Sequence, residues 1–214
     1  MQEHHIHVPR RARYYTLGTG EDARQVWFVC HGYGWLARDF LDEFRKLDDG
    51  SRYFVAPEGL SRHYTNHAKG MVGGSWMTRE DRLSEIADYV TYLDTLYQHV
   101  FQTISRRSVS VVVLGFSQGA AAATRWISLG QAIADRLILW GEIPPPDLDL
   151  EMAWGKLESS RLTIVTGTND RYVDPSQLLK AEARLLEHEI PYETIMFEGG
   201  HHLDDSTLRS LATP

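Results

Sequence analysis

VSVVVLGFSQGAAAATRWISLG, Val109 to Gly130, is the stretch from which the fold follows. Val109–Leu114 is nearly all apolar, as expected of a strand buried on both faces. The run stops at Gly115, and Ser117 then stands between Gly115 and Gly119. Ala120–Ala123 follow, inside a helix predicted from Gln118 to about Leu129, with Gly130 as its stop. G-F-S-Q-G is therefore a sharp strand-to-helix turn with a hydroxyl at its apex. Such a turn brings backbone segments close together, so only small residues fit beside the serine.

The same alternation extends outward. His4–Val8 and Arg13–Leu17 read as two short strands joined around Pro9, and Gly18–Ala23 as a polar turn. Val26–Cys30 is a continuous apolar strand, followed by the glycine-rich loop His31-Gly32-Tyr33-Gly34-Trp35. A helix is expected from about Arg38 to Leu47. Tyr53–Ala56 is a strand stopped by Pro57, and Gly59–Thr78 a long polar loop. Thr78 and Asp81 have capping-box spacing, and Leu83, Ile86, Val90, Leu93, Tyr97 and Val100 share one helical face. Arg136–Trp140 is a strand, GEIPPPDLDLE a proline-rich loop and Leu162–Thr166 another strand. Asp174-Pro175 reads as N-cap and first position of a helix. Tyr192–Phe197 and Ser206–Leu211 are the last strand and helix. Strands separated by crossover-length helices imply a mostly parallel central sheet covered on both faces, with antiparallel N-terminal strands. The pattern shows no linker or repeat, so residues 1–214 read as one α/β domain without a separate cap.

Composition bounds the function. Hydrophobic residues make up 43% and charged residues 24%, which fits a soluble globular chain. The formal net charge of −7 argues against a nucleic-acid or anionic-membrane surface. One cysteine, Cys30, excludes an intramolecular disulfide. There is no apolar signal segment at the N-terminus and no apolar run near the length of a membrane span. A cytoplasmic protein without stable membrane insertion is the expectation, and a homodimer is compatible with it.

G-x-S-x-G between a strand and a helix is the setting of a nucleophile elbow, in which an acid and then a histidine follow the serine along the chain. After Ser117 the histidines are His188, His201 and His202. His188 lies on the polar side of an amphipathic helix. His201 and His202 lie in FEGGHHLDD, just after the last strand, where a base could reach across the sheet edge, and both stay open. Asp170 and Asp174 are the acids near a strand end. Asp174 is explained as an N-cap, which leaves Asp170 as the acid. An oxyanion needs backbone N–H donors. Gln118, after the serine, and Tyr33, in the loop after an early strand, are the candidates.

With these residues assembled, the chain resembles the phospholipase/carboxylesterase family of α/β-hydrolases, which includes acyl-protein thioesterases and small bacterial esterases. GFSQGAA is similar to that family's nucleophile motif. Gly167, Asp170 and Val173 match its G-x-x-D-x-x-V, Ser75-Trp76 resembles its tryptophan segment, and Leu139–Pro144 its strand followed by Gly-x-x-Pro. The resemblance implies ester or thioester hydrolysis by Ser117, Asp170 and a histidine, with no cofactor and no metal. Family members whose base follows Gly-Gly directly select His201, whereas a Gly-x-x-His alignment selects His202. HGYGW, Trp76-Met77-Thr78 and the Pro144–Pro146 run depart from the thioesterase pattern. They favour a serine carboxylesterase acting on short- to medium-chain acyl esters through an acyl-enzyme. Lysophospholipase or acyl thioesterase activity is the alternative, and a non-catalytic small-molecule-binding module on the same scaffold is the rival of another class.

Trp76, Gly32 and Met71 are the candidate substrate contacts, Trp76 and Met71 for the acyl chain. His5 and His7 share one face of the first expected strand, but no carboxylate or cysteine cluster accompanies them in sequence, so they are not read as metal ligands. His63 and His67 fall in the long loop. Cys30 reads as strand packing.

Overall fold

The computed structural model describes residues 1–213. Its central sheet has seven strands: β1 (Tyr14–Leu17), β2 (Gln25–Cys30), β3 (Arg52–Pro57), β6 (Ser110–Phe116), β7 (Arg136–Trp140), β8 (Arg161–Gly167) and β9 (Tyr192–Phe197). The order across the sheet is β1-β3-β2-β6-β7-β8-β9. β1 runs antiparallel to β3, and every other neighbouring pair is parallel. β4 (Ser61–Asn66) and β5 (Met71–Ser75) form a separate antiparallel hairpin. The helices are α1 (Ala37–Asp42), α2 (Arg82–Val100), α3 (Gln118–Leu129), α4 (Leu150–Ser159), α5 (Pro175–Glu187) and α6 (Asp205–Ala212).

The apolar runs acquire their physical reason here. Side chains of a strand alternate between faces, and this sheet is buried on both. Val26, Phe28, Cys30, Val111 and Val113 join the core beneath α2, α3 and α4. Trp27, Val29, Val112, Leu114 and Phe116 join a second core with α1 and α6. Each fully buried Val, Leu or Phe stabilises the fold by about 1.5–3 kcal/mol, and the buried apolar residues of the central strands divide between the two cores.

Four expectations are corrected. His4–Val8 forms no strand, so β1 alone supplies the antiparallel N-terminal edge of the main sheet, and His5 and His7 share no strand face. Gly59–Thr78 is not a loop throughout but carries the β4–β5 hairpin. Its strands pair with each other, β4 stays largely exposed and the buried part of β5 is Gly73, Gly74 and Ser75, so neither shows apolar alternation. α2 begins at Arg82 rather than Thr78, with Asp81 left-handed at φ 43°. Thr78 instead donates through its hydroxyl to Glu85, 3.0 Å away. The proline-rich loop ends in α4, whose start is capped by the Asp149 side chain accepting from Met152 N. The Asp174 cap, with Pro175 opening α5, is present as expected.

Glu58, at the end of β3, ties these parts together. Its carboxylate is buried and accepts from Arg13 Nε and Nη2 at 2.7 and 2.9 Å, from Arg62 at 3.2 Å and from Ala37 N at 3.3 Å. One acid thereby holds the approach to β1, the hairpin and the start of α1.

Candidate active site

Ser117 sits between β6 and α3 at φ 54°, ψ −125°, a conformation that L-residues rarely adopt. Its N–H donates to Trp140 O at 2.7 Å, which anchors the turn to β7. The flanking glycines are required by contact. A Cβ on Gly115 would stand 2.3 Å from Gly119 O, and one on Gly119 only 2.1 Å from Cys30 O. The compression that the spacing implied is thus present on both sides, and it holds the serine in a strained turn.

Three other loops converge at the carboxyl ends of the strands. Asp170 follows β8, and its side chain is 1% exposed. Its Oδ2 lies 2.7 Å from His201 Nδ1, and its Oδ1 accepts from Tyr172 N at 2.9 Å. His201 follows β9 and is packed between Phe116, at 4.8 Å between ring centroids, and Tyr172, at 4.6 Å. Phe116 is the neighbour of Ser117, so the imidazole lies beside the elbow. His202 points elsewhere: its ring packs edge-on against Phe197, and its carbonyl accepts from Trp140 Nε1. Of the two histidines left open by sequence, His201 is the one brought to Asp170.

The loop after β2 closes the arrangement. A Cβ on Gly32 would stand 3.3 Å from Ser117 Cβ, so this backbone lies against the serine. Gly34 N donates to Gly74 O, and Gly74 N donates to Trp35 O, each at 2.9 Å. The β4–β5 hairpin therefore docks on this loop, and only glycine permits it, since a Cβ on Gly73 would strike Gly34 O at 2.3 Å. Tyr33 has its ring exposed and stacked on His63 at 4.7 Å. Gln118 opens α3, where the first backbone N–H groups have no acceptor within the helix. Its side chain accepts from Trp76 N at 3.0 Å and donates to Met77 O at 2.7 Å, which ties the segment after β5 to the elbow.

Sequence reasoning missed three contributors. His31 is fully buried, its Nε2 accepts from Gly59 N at 2.9 Å, and its Nδ1 therefore carries the proton and donates to Gly32 O at 2.8 Å. Burial pushes the proton affinity of this imidazole down. Gly141, left-handed at φ 65°, lies under the dyad, where a Cβ would meet His201 Cε1 at 2.9 Å and Asp170 Oδ2 at 3.4 Å. Glu142 follows it, and burial raises its carboxyl above the usual carboxylate range. The G-E of LWGEIP was the available signal for the last two.

The substrate contacts need revision. Trp76 is 1% exposed, its indole donates to His31 O at 2.8 Å, and its ring packs on His31 and Tyr89. It supports the loop from beneath and presents no face to substrate. Met71 begins β5 and is exposed. Gly32 is at the serine. Away from the site, Glu3, His5 and Asp81 gather with ligand atoms within 4.8 Å of one another, all exposed. No helix among the described residues is long and apolar enough to cross a membrane.

Solved structures share this architecture. Acyl-protein thioesterase 2 of Zea mays superposes with a TM-score of 0.73 at 13% identity, over 94% of this chain and 96% of that one. A carboxylesterase from Mesorhizobium loti gives 0.70 at 21% identity, over 95% of both chains. A Bacillus cereus carboxylesterase gives 0.69 at 14%, over 94% of this chain and 92% of that one. No curated protein sequence matches significantly. The family description Phospholipase/Carboxylesterase matches residues 17–213, nearly the whole length. With that match laid over the sheet order and the serine turn, the chain belongs to the phospholipase/carboxylesterase family and is an esterase-type hydrolase of the α/β-hydrolase fold.

Proposed function

We propose that this protein is a serine carboxylesterase that hydrolyses short- to medium-chain acyl esters through an acyl-enzyme. The observation that carries the reading is the 2.7 Å contact of His201 Nδ1 with the buried Asp170 carboxylate, beside the strained Ser117 turn. With Nδ1 engaged by Asp170, His201 keeps Nε2 for the serine. Nε2 takes the Ser117 proton as Oγ attacks the acyl carbonyl, and Asp170 stabilises the imidazolium that forms. Tyr33 N–H and Gln118 N–H face the developing oxyanion, and one such donor lowers the barrier by about 3–4 kcal/mol. The imidazolium then protonates the departing alcohol. Water, deprotonated by the same nitrogen, releases the acid and restores Ser117.

The test is hydrolysis of a p-nitrophenyl ester series from acetate to palmitate, with labelling of Ser117 by a fluorophosphonate. Turnover that is highest at short or medium chains, together with labelling lost in Ser117→Ala, is the expected result. A folded wild type that neither labels nor turns over any ester would instead make the scaffold a binding module.

A further inference from the structure

We infer that Glu142 makes the cleft selective for ester substrates that carry positive charge, a refinement that rests on the esterase reading above. Glu142 directly follows Gly141, where the dyad leaves no room for a side chain: a Cβ there would stand 2.9 Å from His201 Cε1 and 3.4 Å from Asp170 Oδ2. The carboxyl is near enough to His201 and Asp170 for each to bias its ionisation, so a substrate held at Ser117 and His201 lies within its field. The acid has no part in the hydrolytic machinery, because Asp170 already occupies His201 Nδ1. Its hydrogen bond is to the neighbouring backbone, Ile143 N, at 3.0 Å. Among the described residues no cation lies within ion-pair distance of it. Arg125, the buried cation on that side, is committed to Asp147 at 2.8 Å, and Asp147 also receives Arg82 at 2.7 Å.

A half-buried carboxylate without a cation is costlier to ionise than one in water, and a cationic ligand would offset that cost. Besides burial and the Ile143 N–H, which favours its ionised form, the groups acting on Glu142 are His201 from the loop after β9, Asp170 from the loop after β8, and Arg125 from α3. Asp170 opposes its ionisation, while His201 and Arg125 favour it, and burial outweighs each of these. An ammonium group on the substrate would restore the missing favourable contact, and an anionic group would add repulsion.

The segment bearing the carboxyl is also held in place. Pro144, Pro145 and Pro146 restrict its backbone. Arg184 of α5 donates to Pro145 O at 3.3 Å and to Leu148 O at 2.9 Å, and Asp147 is clamped by two arginines. A charge fixed in this way discriminates between substrates rather than adapting to each one.

The experiment uses two series of p-nitrophenyl and thiocholine-type esters with permanent charge, one with quaternary ammonium or sulfonate on the acyl chain, the other with these groups on the alcohol. The ratio of kcat/KM for cationic over anionic member is read at low salt and pH 8. The expected ratio is about tenfold or more in at least one series, falling to within about threefold of unity in Glu142→Gln and inverting in Glu142→Lys. In the wild type the ratio also shrinks on acidification as Glu142 takes up its proton, which tests the inference without any variant. A ratio near unity in both series, or one that survives Glu142→Gln, overturns it. An enzyme that labels with fluorophosphonate yet ignores charge sinks this inference alone, whereas absence of labelling sinks the esterase reading.

Discussion

His201 Nδ1 lies 2.7 Å from Asp170 Oδ2, and the Asp170 side chain is almost completely removed from solvent. The pair joins the ends of two adjacent strands, β8 and β9, 31 residues apart in sequence. Replacing Asp170 with Asn keeps the shape but offers a donor to the wrong imidazole tautomer. Turnover should fall by about 10⁴-fold while KM changes little, as read by steady-state kinetics at pH 7–8. A loss below about tenfold would remove Asp170 from the proposed role.

Ser117 is held at φ 54° by its neighbours, and glycine adopts that conformation without strain. Ser117→Gly should therefore raise stability by roughly 1 kcal/mol, as measured by urea unfolding, while abolishing turnover. Gly119→Ala should behave in the opposite way. Its methyl group would press on Cys30 O at 2.1 Å and force β2 and α3 apart, lowering stability and activity together.

His31 is neutral, buried and singly protonated on Nδ1, and it positions Gly32 next to the serine. With its native pKa below that of the unfolded chain, near 6.5, the unfolded state binds more protons in the window beneath that value. Stability is then complete above about pH 6.5 and declines as pH falls toward the depressed native value. In His31→Gln this part of the acid sensitivity should disappear. Its kcat should drop by about 10²-fold, the scale of one misplaced oxyanion donor, with less effect on KM. Stability against pH by chemical denaturation, alongside kinetics, checks both statements.

Glu58 gathers four donors on one buried carboxylate. Glu58→Ala leaves the Arg13 and Arg62 guanidinium groups without their acid and an amide at the start of α1 without an acceptor. The two guanidinium groups are 44% exposed and can turn to water, so a loss of about 1–3 kcal/mol is expected in thermal or urea unfolding. A change below 1 kcal/mol would mean that the network contributes little.

The Asp204 side chain caps α6 by accepting from Thr207 N at 2.8 Å and from the Ser206 and Thr207 hydroxyls, and these bonds pull its pKa down to about 2. Its contribution is present above the unfolded value of about 3.9 and is lost as pH falls toward 2. Asp204→Ala should cost about 1 kcal/mol at neutral pH and progressively less as pH falls through 2.

Local patterning carried much of this far. β7 and β9 coincide with the runs RLILW and YETIMF, and α3 with the predicted Gln118–Leu129, because apolar residues recur along each of them in sequence. The β4–β5 hairpin escaped notice because its partner surface is the loop after β2, not an apolar core. α4 was hidden behind the Pro144–Pro146 run, although Asp149 stood ready as its cap. Trp76 was misjudged because an aromatic after a glycine-rich segment looks the same in sequence whether it lines a cleft or supports one from below.

The chain alone determined the sheet type, the serine at the turn and the small set of acids and histidines able to serve it, since these depend on spacing along one strand, one turn and one helix. Three matters were decided only in the folded molecule: that His201 rather than His202 meets Asp170, that His31 holds the loop facing Ser117, and that no cation among the described residues pairs with Glu142. Each depends on where loops from separate strands end in space. That follows from how the sheet twists and which side chains its packing turns inward, and no repeat in the sequence records it.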